Sequence, residues 1–159
     1  MAPSRTPWSL IARQALAAGL AGTTTYDFYL WLTAVRFARA GLPGFWQSAA
    51  AALVGRVAFS ATDYMWLGLA IHLVIGVAWA GGFAYLANRQ RLFVRRWLVA
   101  GFIYGIVVYV IMGFILLAGN ALTMPPNPTA FVNGVIADTF FFGVPVAFVV
   151  ASMEAGGKA

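Results

Sequence analysis

Hydrophobic residues run through this chain in four long stretches, at about 10–36, 66–88, 97–118 and 130–152, separated by short polar or proline-rich breaks. Each is long enough to cross a bilayer core, which takes about 20 apolar residues as a helix. A fifth apolar piece, at about 45–59, is alanine-rich, interrupted by Gln47, Ser48 and Arg56, and too short to span. It reads as a helix lying at the membrane interface or packed on the bundle. The predicted fold class is therefore an all-α integral membrane protein. It is a four-transmembrane-helix bundle with an additional interfacial helical segment between helices 1 and 2, forming a single transmembrane domain over 1–159.

Within the spans, small residues recur every fourth position. Gly68, His72, Gly76, Ala80 and Ala84 make one slowly turning stripe on the second span. Gly101, Gly105, Tyr109 and Gly113 repeat it on the third; Gly19, Thr23 and Asp27 do so on the first, and Gly134 and Asp138 on the fourth. Small residues let helix backbones approach closely in lipid, so Gly19, Gly68, Gly76, Ala80, Gly101, Gly105, Gly113 and Gly134 are predicted packing positions. The titratable groups on the same stripes then face protein. Counted inward at about 1.5 Å per residue, His72 lies roughly 9 Å deep, Asp138 roughly 12 Å, and Asp27 and Tyr109 roughly 13–14 Å. This predicts one buried polar cluster of Asp27, His72, Tyr109 and Asp138, with Asn133 and Thr23 beside it. Two carboxylates in one apolar pocket repel if both ionise, so the cluster calls for a proton, a charged His72 or a cation. Pro145, with Gly143 beside it, cannot donate to the carbonyl of Phe141, and a kink is expected there.

The breaks fix the rest. Thr6-Pro7 reads as a helix cap and first turn. Gly41-Leu42-Pro43-Gly44 reads as a chain break, and 120–129, with Pro125, Pro126 and Pro128, as a stiff extended loop. A signal peptide competes for the first stretch, but its apolarity continues through Phe28, Leu30, Trp31 and Leu32 to spanning length. Seven Lys and Arg fall on the side of the termini and the Arg89–Arg96 loop; the other side has three, Arg36, Arg39 and Arg56. The positive-inside rule then puts both termini in the cytoplasm of a bacterial inner membrane, and the proline loop outside.

Composition agrees: 62% of residues are hydrophobic and 9% charged, against about 25% charged in soluble domains. The net charge of +6 comes from arginines flanking spans, so no nucleic acid is expected as a partner. Without cysteine, thiolate metal sites and iron–sulfur clusters are excluded. Asp27, His72 and Asp138 are the only candidate metal ligands, and haem or chlorin at His72 has no further support. No serine stands in a nucleophile-elbow context, so an enzyme is not expected, no catalytic residue is assigned and no cofactor is predicted.

Three functions remain. An accessory, assembly or structural subunit would use the small-residue faces to form a homo-oligomer or join a larger membrane complex. A proton- or cation-coupled transporter or ion-binding protein would use the polar cluster. A lipid- or isoprenoid-binding protein would need an interior cavity. Ala18–Gly22 (AGLAG), His72–Gly76 (HLVIG), Gly101–Gly105 (GFIYG) and Met124-Pro125 together resemble the YagU-like family of small four-helix bacterial inner-membrane proteins. The resemblance implies topology rather than activity. The histidine with which such proteins often open the fourth span is replaced here by the Asn133 region.

Overall fold

The computed structural model describes residues 7–37, 41–119 and 128–156, all in helices or the turns between them. In chain order the helices are α1 (Trp8–Phe37), α2 (Gly41–Val54, continued by a 3-10 turn at Gly55–Phe59), α3 (Tyr64–Arg89), the short α4 (Arg91–Arg95), α5 (Trp97–Ala118) and α6 (Pro128–Gly156). Three of them, α3, α5 and α6, are long and apolar enough to cross a membrane. α1 has 30 residues but does not qualify on composition. The cause is its inner face, where Gln14 and Thr23 are buried and Thr25 and Asp27 nearly so. Its outer face carries exposed Leu16, Leu20, Phe28, Trp31 and Leu32.

α1 packs along α3 on one side and α6 on the other, and α5 packs on α6. Contact is closest where glycine replaces a side chain. A Cβ at Gly143 would strike the Gly101 carbonyl and the Gly105 backbone, and one at Gly105 would strike the Asp138 carbonyl. Here α5 and α6 touch backbone to backbone, which only glycine permits. Gly19 lies against Val77, Gly76 against the Thr23 methyl, and Gly134 against the Tyr109 ring, while Ala80 is fully buried. Gly113 differs from its expected packing role: nothing among the described residues stands within 4 Å of where its Cβ would be.

α2 is packed rather than peripheral. It lies on α3, where the Trp46 carbonyl sits directly over Gly68, and Ala50 and Ala51 are fully buried. It begins at Gly41, so Leu42, Pro43 and Gly44 form its first turn instead of a break. Proline is tolerated there because first-turn N–H groups have no partner within the helix. Pro128 likewise starts α6. Thr6, Met124 and the loop up to 127 lie outside the described residues.

The expected kink at Pro145 takes another form. α6 widens into a π-helix over Ala137–Gly143, just before the proline, and the Val144 N–H reaches back to the Thr139 carbonyl. The Phe141 carbonyl, which proline cannot engage from four residues on, accepts from Thr25 Oγ1 of α1. That hydroxyl has one proton and three carbonyls within reach, Ala21, Gly22 and Phe141, of which Phe141 is nearest.

Candidate functional site

At the end of the bundle away from the arginines, the helices part around a cavity of about 610 Å³. Every long helix contributes: Tyr26 from α1, Phe45 from α2, His72 from α3, Tyr109 and Gly113 from α5, and Asp138 from α6. The reason is geometric. α6 carries the π-turn here, α5 presents Gly113 with no side chain, and α2 closes the side with small residues such as Ser48, Ala49 and Ala52. Most of the wall is apolar and aromatic, with a few polar groups set into it, the usual make-up of a small-molecule pocket of roughly 300–1,000 Å³.

His72 is held by rings on two sides. Phe45 meets it edge-on at 5.2 Å and Tyr26 at 5.5 Å between centroids, and Tyr26 and Phe45 are themselves 5.4 Å apart. Its Nε2 lies 3.1 Å from Asp27 Oδ1. That is ion-pair distance, yet both atoms are buried and neither makes a well-formed hydrogen bond. The two atoms are close without the geometry of a hydrogen bond, so the pair is incompletely satisfied. Asp27 does not itself line the cavity; it meets it through His72.

The remaining predicted residues divide. Tyr109, Asn133 and Asp138 line the same cavity as His72. Asn133 Oδ1 accepts from Tyr29 OH at 3.1 Å, and Tyr29 stacks on Phe141 at 4.4 Å. Asp138 is nine-tenths buried and makes no hydrogen bond or ion pair among the described residues. Thr23 does not join them. Its hydroxyl donates back to the Gly19 carbonyl at 2.8 Å and its methyl packs on Gly76, so its role is packing. Asp27, His72 and Asp138 do not form a metal site either: among the described residues no three His, Cys, Asp or Glu side chains converge.

Tyr26, Phe45 and Ser48 are site residues that the sequence reading missed. Tyr26 stood three residues after Thr23 and seven after Gly19, on the inward stripe already identified, so spacing alone could have found it. Phe45 and Ser48 carried no such signal, because α2 was read as a separate piece.

A second polar group lies at the arginine end. Gln14, fully buried on α1, donates from Nε2 to Glu154 Oε1 of α6 at 3.0 Å. Its Oε1 accepts from Asn88 Nδ2 of α3 at 2.7 Å, and Asn88 also donates to the Ala84 carbonyl. Comparison with protein-family models, with curated proteins and with solved structures finds no match to the chain. The meaning of the cavity therefore has to come from its own atoms.

Proposed function

We propose that the protein is a four-span membrane protein that binds an amphiphilic small molecule, a lipid or isoprenoid, in the cavity between its helices. The observation that carries this reading is the cavity of about 610 Å³, apolar in its walls and polar where His72, Asn133 and Asp138 meet it. Such a division matches a ligand with a greasy body and a polar head. Asp138, nine-tenths buried, lining the cavity and without a hydrogen bond or ion pair among the described residues, is what a site looks like when its ligand supplies the missing contact.

The fourth span is α1, alongside α3, α5 and α6. Its 30 residues reach about 45 Å, and along it Gln14 and Thr23 turn inward while Leu16, Leu20, Phe28, Trp31 and Leu32 turn out. That inversion is the pattern of a helix whose solvent is lipid. Arg89, Arg91, Arg95 and Arg96 support cytoplasmic termini in a bacterial inner membrane. The small-residue faces that argued for an accessory subunit are used within the chain, Gly19 on Val77 and Gly143 on Gly101, so they are not what would hold a partner.

The test is to purify the protein in mild detergent and identify co-purifying lipids by mass spectrometry. The wild type should carry a defined species at close to one per chain. Gly113→Phe, which places a ring in open space at the cavity wall, should lose it while keeping the same unfolding midpoint within error. The same lipid profile in both proteins would overturn the reading.

A further inference from the structure

We propose that the head of the bound amphiphile is a cation, an organic ammonium seated against Asp138 and the surrounding rings. The inference rests on the cavity being a ligand site and adds the charge of what it holds.

The argument is an inventory of what the wall leaves unspent. Two hydroxyls at the wall are committed to their own helices: Thr33 Oγ1 donates to the Tyr29 carbonyl and Ser48 Oγ to the Gly44 carbonyl. The phenols of Tyr26 and Tyr109 also line the cavity, near enough to feel the charge of Asp138 but without a hydrogen bond to it. Asn133 Oδ1 is taken by Tyr29. His72 Nε2 is turned to Asp27. Asp138 is left, a carboxyl nine-tenths buried, lining the cavity, with no partner among the described residues. No arginine or lysine among the described residues lines the cavity, so nothing there offers a positive charge to a phosphate or carboxylate head. A buried carboxylate without a counter-ion is costly in a low-dielectric site, and a ligand that brings the counter-ion relieves that cost.

The rings point to the kind of cation. Tyr26, Phe45, Trp79, Tyr109, Phe131 and Phe142 all face the cavity. Aromatic faces attract ammonium groups and do so most strongly where water is excluded. A bare metal ion is the poorer fit, because among the described residues no three acidic or imidazole side chains converge to replace its hydration shell. An ammonium with alkyl substituents needs no such shell and buries its own apolar surface against the wall.

The experiment uses the full-length protein in neutral phosphatidylcholine nanodiscs and three probes with one tail: decyltrimethylammonium, decanol and decanoate. Occupancy is read by native mass spectrometry across a concentration series. The ammonium should bind at least tenfold tighter than either of the others. Asp138→Asn, nearly the same in shape, should bring the ammonium down to the affinity of decanol and leave decanol unchanged. Gly113→Phe should abolish binding of all three. Equal binding of ammonium and alcohol, or tightest binding of decanoate, overturns the cationic head and leaves the cavity reading standing. A preference for ammonium that survives Asp138→Asn overturns the role of Asp138. Binding of none of the three overturns both.

Discussion

The two ends of the bundle solve the same problem in opposite ways. Each brings polar side chains from α1, α3 and α6 into an apolar interior. At the arginine end, Gln14, Asn88 and Glu154 close on one another with hydrogen bonds of 2.7–3.0 Å. The packing around them is filled by fully buried Ala18, Ala84, Ala147 and Val150. At the other end, Asp27 and His72 approach to 3.1 Å without a good hydrogen bond, Asp138 has no partner among the described residues, and the helices stand apart around open volume. Buried polar groups are nearly always paired in native proteins. The contrast fits the proposed division, in which the closed end holds the helices together and the open end is where the proposed ligand would sit.

This difference is breakable by matched substitutions. Gly143→Val drives a side chain into the Gly101 carbonyl and the Gly105 backbone. Backbone cannot shift as a side-chain tip can, so the cost should be about 3 kcal/mol, the upper part of the overpacking range. At Gly113 no atom of the described residues stands within 4 Å of an added Cβ, and Gly113→Val should change stability by less than about 1 kcal/mol, the scale of glycine's helix penalty. Denaturation midpoints in mixed detergent measure both. Equal losses would show that the two ends are not differently packed.

A smaller effect separates the two polar groups themselves. Gln14→Leu removes a fully buried amide and strands Asn88 and Glu154, so it should destabilise by about 1–3 kcal/mol. Asp27→Asn removes a charge from a contact that has no well-formed hydrogen bond, and should cost less than about 1 kcal/mol. The same unfolding titration compares them. An Asp27→Asn loss as large as that of Gln14→Leu would make the outer cluster a structural clasp like the inner one.

What could be read from sequence follows from which interactions are local. Helix positions came from hydropathy, which each helix states alone, and the bounds of α5 at Trp97–Ala118 coincide with its apolar run. Inward faces came from four-residue spacing, which put His72, Tyr109 and Asp138 on protein-facing stripes. Non-local facts had no such signature. Gln14 and Glu154 are 140 residues apart, and nothing in either local stretch marks them as partners. The place of α2, at the interface or packed on the bundle, stays open in the sequence for a related reason. Its seat on α3 depends on Gly68 lying flat beneath the Trp46 carbonyl, a fit between two distant segments. The cavity was hardest of all, since Gly113 looks like every other stripe glycine and differs in that no atom of the described residues stands within 4 Å of its Cβ position.

The smallest effect tests how α6 keeps its π-turn beside the cavity. Pro145 takes away the N–H that would bind the Phe141 carbonyl, and the Thr25 hydroxyl reaches across from α1 to that oxygen. Thr25→Val keeps the branched shape and removes the donor. Interhelical hydrogen bonds of this kind average about 0.6 kcal/mol in membrane proteins, so global stability should fall by about that much. The local consequence should be clearer than the global one. With Phe141 short of a donor, amide exchange over Ala137–Gly143 should quicken, while the arginine end of α6, tied through Glu154 to Gln14, keeps its wild-type rate. If exchange over the π-turn is unchanged in Thr25→Val, the turn is held by the proline and by its packing against the α5 glycines, and the hydroxyl is incidental to the shape of the cavity wall.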